Sequence, residues 1–228
     1  MKKDALVVRI AEVERAREIL RILKNNFSTP DLSNLVSDPF KILVRTIISQ
    51  STAEVNTIRA YENLARTLSI TSRGLAKADI ADIEDALKVA GLHRNKSRMI
   101  KECSRLILER FNGSLDFIYN LSLDEAREKL MSLPGVGPKT ADIVLLFCAY
   151  RPTLPVDTHV NRVSKRLGLV SSNADYESVR STLQALYPPG EFFKVHMLFI
   201  ALGRRICKAL SPLCASCPVN KLCPSVKI

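Results

Sequence analysis

Apolar residues recur along this chain every three or four positions, segment after segment. In "DALVVRIAEVERAREILRILKNNF", Val7, Ile10, Val13, Ala16 and Leu20 fall on one stripe, which predicts a helix with one buried face. The same spacing runs through "PFKILVRTIISQ", "AEVNTIRAYENLARTL", "ADIEDALKVA" and "KSRMIKECSRLILERF", divided from one another by Pro, Ser, Asn and Gly. Further on, "SLDEAREKLMSL" and "PKTADIVLLFCAY" predict two helices joined by a short turn. Pro138 falls in the first turn of the second, where its missing N–H costs nothing. "DTHVNRVSKRLGLV", "DYESVRSTLQALY" and "EFFKVHMLFIALGRRIC" complete the pattern. No stretch alternates apolar and polar residues as a half-buried strand would, and no repeat or low-complexity tract interrupts the helices. The predicted fold class is all-α.

The turn between the two central helices lies in "LPGVGPKT", residues 133–140. Glycines beside a lysine and a threonine suggest phosphate binding. A mononucleotide P-loop, however, separates its glycines by four residues and places the lysine directly after the second. Here one residue separates Gly135 from Gly137, and Pro138 intervenes before Lys139. Glycine permits φ > 0 and leaves its N–H uncovered by a side chain. Such donors at a helix N-terminus, where the macrodipole is positive, suit an anion. Gly135, Val136 and Gly137 are therefore candidates for holding a DNA backbone phosphate, a contact that positions a protein without reading sequence. An ordinary tight helix–helix turn is the competing reading of "PGVG" alone.

Charge favours the polyanion. Lys and Arg number 34 against 23 Asp and Glu, a net charge of +11 over 228 residues. The pI of about 9.6 lies above the value of ~9 that marks nucleic-acid-binding domains. The longest apolar run, "IVLLFCAY", has 8 residues against the ~20 that span a membrane. The N-terminal "MKKDALVVRIAEVERAREIL" is too densely charged for a secretory signal. These features predict a cytoplasmic protein with no membrane partner, in a compartment where cysteines are seldom disulfides.

Lys139 begins the second hairpin helix, and 18 residues later comes Asp157, in "PVDTH". That helix is roughly 18 Å long at 1.5 Å per residue, and "YRPTLPV", kept extended by its prolines, runs up to ~23 Å. The chain is thus long enough to return along the helix and set Asp157 beside Lys139. The positive end of a helix is poor company for an ammonium, which favours the neutral, nucleophilic amine. Asp157 would take up a proton or stabilise developing positive charge. An Asp before "THVNRV" also reads as a helix N-cap, and the two roles are compatible.

The tail "CKALSPLCASCPVNKLC" sets Cys207, Cys214, Cys217 and Cys223 within 17 residues, as C-x6-C-x2-C-x5-C. Four cysteines so close in a cytosolic chain indicate a metal site. Zinc sites more usually pair two C-x2-C knuckles, iron–sulfur clusters also take four thiolates, and spacing alone leaves both open. Cys103 and Cys148 sit on apolar helix faces as plain core residues.

Together, "LPGVGPKTADIV", "PVDTHVNRV" and the cysteine tail resemble the endonuclease III family of helix-hairpin-helix DNA glycosylases. The resemblance extends through "DPFKILVRTIISQ" and "GLHRNKS" and covers nearly the whole chain. It implies a hairpin that binds DNA, a [4Fe–4S] cluster on the four cysteines, Lys139 as nucleophile and Asp157 as its partner. It further implies that Leu92 is the apolar wedge of base extrusion. Gln50 would fill the orphaned space, a match that needs a one-residue slip in the local alignment. Two all-α domains are expected. A six-helix domain over residues 37–151 would carry the hairpin, and residues 1–36 would join 152–228 in a cluster domain. A cleft between the two would hold the catalytic pair, and Arg204, Arg205 and Lys208 would extend the basic surface.

The implied substrate is double-stranded DNA with damaged pyrimidines or abasic sites, bound by a monomer at the nucleoid. The implied activity is excision of oxidised pyrimidines by a bifunctional glycosylase and AP lyase. Pro138 and His93 depart from well-known members, so a uracil or thymine-mismatch glycosylase on the same scaffold stays open. A non-catalytic DNA-binding module with structural zinc is the other alternative, and Lys139 with Asp157 argues against it because a phosphate binder needs neither.

Overall fold

The computed structural model describes the backbone of residues 2–31 and 38–226 and the side chains of 10–31 and 38–226. Among these residues every regular element is helical. The chain divides into two compact units, Met1–Asn34 with Pro152–Ile228, and Leu35–Arg151. The boundary expected between residues 36 and 37 lies outside the described residues.

The central unit contains α2 (Pro39–Ser49), α3 (Glu54–Thr67), α4 (Ser72–Lys77), α5 (Ile80–Leu87), α6 (His93–Phe111), α7 (Phe117–Asn120), α8 (Leu123–Met131) and α9 (Pro138–Ala149). Six of these have eight residues or more, and α4 and α7 are short. Local chemistry sets the starts. Asp38 Oδ1 accepts from Phe40 N at 2.8 Å ahead of Pro39, and Ser122 with Glu125 forms a capping box on α8. Ile47, Leu64, Ile83 and Leu145 are wholly buried in one core, and truncating such a side chain to alanine costs about 2–5 kcal/mol. The two hairpin helices are also clamped by charge. Arg127 of α8 donates from Nε to Oδ1 of the fully buried Asp142 of α9 at 3.0 Å. Removing one partner of such a pair costs about 3–5 kcal/mol, because the other charge stays buried. The hairpin is therefore a stiff element.

The terminal unit packs α1 (Lys2–Asn26) with α10 (Thr158–Arg166), α11 (Tyr176–Leu186) and α12 (Phe192–Arg205), followed by the cysteine loop. The buried stripe of α1 is Ala16, Ile19, Leu20 and Leu23, with Val13 at its edge. Ile10, expected on that stripe, is 51% exposed, because it lies beyond the last turn of α1 that the core covers. The side chain of Val7 lies outside the described residues. Helix α10 is shorter than its apolar pattern predicts. It ends at Arg166, and Gly168 turns the chain away at φ +63°. No described helix is long and apolar enough to cross a membrane.

Candidate functional site

The hairpin is Leu133 to Gly137, between α8 and α9. Val136 is its anchor: the side chain is buried and its N–H donates to Leu133 O at 3.1 Å. Val136 thus shapes the turn from inside, its own N–H taken up within the hairpin. Gly135 has φ +78°, where a side chain would be strained and its Cβ would come within 3.2 Å of Met99. Gly137 does not need that freedom. Its φ of −93° is open to any residue, and a Cβ there would meet nothing within 4 Å. What glycine provides at 137 is an unobstructed approach. Among the described residues the N–H groups of Gly135 and Gly137 have no acceptor. Helices α2, α5, α8, α10 and α11 each start under an Asp or Ser side-chain cap, whereas α9 starts bare at Gly137. An anion would meet free donors there.

Lys139 is the second residue of α9, half-buried, and within its own unit it makes no ion pair. Its neighbours Thr140 and Ala141 face the core, which fixes the backbone beneath it. Gln50, the residue after α2, donates from Nε2 to Gly135 O at 2.8 Å and so braces the hairpin from below. Leu92 is 63% exposed with φ +48°, in the turn before α6. It does not cap the core. An exposed leucine in a left-handed conformation is strained and gains nothing from burial, a combination that clusters at functional sites.

Asp157, half-buried, is the N-cap of α10 in the terminal unit. Oδ1 accepts from Val160 N at 2.7 Å, as the helix-cap reading expected, and Oδ2 has no donor within the unit. Two side chains hold the preceding backbone. Buried His196 of α12 bonds through Nδ1 to Pro155 O at 2.9 Å, and Val156 N donates to the Tyr176 hydroxyl at 3.3 Å. Sequence reasoning missed both, because contacts over 20 and 41 residues leave no local pattern.

Cys207, Cys214, Cys217 and Cys223 are free thiols that line one cavity of about 470 Å³ in the terminal unit. Burial pushes the Cys217 and Cys223 thiols up, and the neighbouring sulfurs add to it. Arginines clamp the loop. Arg166 donates to Cys207 Sγ at 3.4 Å and to Lys208 O at 2.6 Å, Arg162 to Cys207 O at 3.0 Å, and Arg15 of α1 to Leu222 O at 3.1 Å. Among the described residues no three His, Cys, Asp or Glu side chains converge to hold a single metal ion. Four thiols lining one cavity are a donor set that suits a four-thiolate iron–sulfur group. Arg204, Arg205 and Lys208 beside the loop are exposed. Cys103 and Cys148 are core residues, and burial pushes the Cys103 thiol up to about 12.

One buried residue of the "GLHRNKS" segment also escaped the sequence reading. Lys96 is 3% exposed and bonds to Ala90 O and the Thr52 hydroxyl. The signal was present, since Lys96 continues the buried stripe Ile100, Cys103 and Ile107 of α6 toward its N-terminus.

Known proteins share this arrangement. The model of the HhH-GPD superfamily of base excision DNA repair proteins matches residues 44–189. Endonuclease III of Thermotoga maritima is 36% identical over 210 residues, 92% of this chain and 91% of that protein. Endonuclease III of Sulfolobus acidocaldarius is 31% identical over 92% of each. A solved structure of a trapped covalent endonuclease III–DNA intermediate superimposes with a TM-score of 0.82 at 31% identity, covering 93% of this chain and 96% of that one. Similarity of this extent, in sequence and in fold alike, makes the chain a member of the endonuclease III family within the HhH-GPD superfamily.

Proposed function

We propose that this DNA glycosylase and AP lyase of base excision repair removes oxidised pyrimidines from double-stranded DNA through a Schiff base on Lys139. The observation that carries the reading is Lys139 itself: an amine without an ion pair in its unit, on a stiff helix, directly after bare backbone donors. The donors of Gly135 and Gly137 would hold a phosphate of the damaged strand and set the sugar against that amine. A damaged base leaves the stack at a cost of a few kcal/mol, least where pairing is already weak. Leu92 would wedge the opened step, and Gln50 would occupy the space left opposite. Unprotonated Lys139 Nζ attacks C1′, the glycosidic bond breaks, and the base departs with its electron pair and a proton. Asp157 stabilises the cationic sugar through the oxygen its cap bond leaves free. The C1′–O4′ bond then breaks, O4′ leaves as a hydroxyl on taking up a proton, and C1′ becomes an imine that makes the C2′ proton acidic, so that β-elimination expels the 3′ phosphate. The protein acts as a monomer at the nucleoid.

Cys207, Cys214, Cys217 and Cys223 would hold a [4Fe–4S] cluster, which when bound supplies a rigid crosslink for a loop that Arg15, Arg162 and Arg166 also clamp. Protein produced anaerobically with ample iron is expected to be yellow-brown and to contain about four iron and four sulfide per chain. Stoichiometric zinc in that preparation would overturn the assignment.

The hairpin reading makes a separate prediction. Gly137→Val places a side chain in open space, so melting should change little. Affinity for damaged and undamaged duplexes should fall together, and the logarithmic salt dependence should become shallower by roughly one unit for the phosphate lost. Unchanged affinity in the folded variant would remove the hairpin from the interface. The substrate class is tested by single-turnover assays on duplexes with thymine glycol, dihydrouracil, uracil, a G·T mismatch or an abasic site. Preference for the first two together with abasic cleavage is expected, and preference for uracil or G·T would assign the mismatch activity instead.

A further inference from the structure

We propose that Lys96, buried, and Thr52, half-buried, form a node that positions Leu92 and Gln50 as one unit for base extrusion. The inference rests on the reading of those two residues as wedge and plug. Both lie beside strained turns of the central unit: Ser51 has φ +52° and Leu92 φ +48°. A strained turn persists only where its surroundings fix it, and here the same two side chains fix both. Lys96 Nζ donates to Ala90 O at 2.9 Å, behind the wedge, and to Thr52 Oγ1. Thr52 Oγ1 lies 2.5 Å from Ala90 O and 3.1 Å from Gln50 O, so its single proton serves either turn. Lys96 N closes the wedge turn by donating to Leu92 O at 3.0 Å. Through Gln50 Nε2 and Gly135 O the bonds continue to the hairpin.

Stability does not account for a lysine here. Lys96 is 3% exposed, and no carboxylate pairs with it among the described residues. Burial alone lowers its pKa. An apolar side chain of similar length would pack at smaller desolvation cost. What the lysine adds is donors: with Ala90 O already satisfied, the Thr52 hydroxyl is free to hold the Gln50 backbone. Neither Lys96 nor Thr52 would touch the substrate. They are positioning residues, and their loss should be felt where two side chains must enter the duplex in concert.

The test compares single-turnover excision of a paired thymine glycol with strand cleavage at an abasic site, where no base needs extruding. Thr52→Val keeps shape and removes the hydroxyl. It should lower the ratio of excision to abasic cleavage about tenfold, and Thr52→Ser should restore it, since misplacement of under 1 Å is enough for such losses. Lys96→Met should behave as Thr52→Val does. If Lys96→Met does not fold, the valine and serine variants decide alone. A ratio unchanged in Thr52→Val, or one that Thr52→Ser fails to restore, overturns the node. Leu92→Ala is measured alongside. If it lowers the ratio and Thr52→Val does not, only the node fails. If Leu92→Ala leaves the ratio unchanged, the wedge reading itself fails and the node falls with it.

Discussion

Lys139→Gln is expected to lower strand cleavage at an abasic site by about three orders of magnitude or more, the loss typical of removing a covalent nucleophile. DNA affinity should stay within about threefold of wild type, since phosphate contacts dominate affinity and the donors of Gly135 and Gly137 are backbone groups that the substitution leaves in place. Melting should be unchanged, because the lysine side chain is half-buried and pairs with nothing in its unit. Binding titrations beside single-turnover cleavage separate the two effects. A parallel loss of affinity would show that Lys139 binds phosphate rather than attacking the sugar.

Asp157→Asn should reduce base excision by about two orders of magnitude, or roughly 3 kcal/mol of transition-state stabilisation, at nearly wild-type melting temperature. The separation arises because two functions meet in one side chain. The cap needs an oxygen that accepts from Val160 N, and asparagine supplies one. The reaction needs negative charge, and asparagine has none. Asp157→Ala, which loses both, should in addition lower stability by about 1 kcal/mol. Full excision by the asparagine variant would leave Asp157 as a helix cap alone.

These residues were legible because their chemistry is local. A hairpin between two periodic helices, a lysine one position past a helix start and an aspartate before an amphipathic turn are each written within a few residues. The helices were legible wherever the period ran through two turns or more. Helix α4 has six residues with Gly74 inside and α7 has four, too few for a stripe to show. Ile10 was misplaced because periodicity tells which face of a helix is apolar, not how far along it the core extends. Gly135 and Gly137 read alike in the sequence, yet of the two only Gly135 has a positive φ. Lys96 went unread because charge suggests solvent, although its spacing placed it on the buried face. The supports of Asp157 from His196 and Tyr176 exist only after folding. The metal was ambiguous for a similar reason. Spacing counts thiols and does not distinguish the groups that four thiolates bind; the fold adds that the four line one cavity.

The central claim, that Lys139 is the nucleophile, is tested most directly by borohydride reduction during turnover on a duplex with a single thymine glycol, followed by proteolysis and mass spectrometry of the protein–DNA adduct. The account predicts one modified peptide, with the reduced sugar remnant on Lys139 and no adduct in Lys139→Gln. A remnant mapped to any other amine, or an adduct that survives in Lys139→Gln, would contradict it.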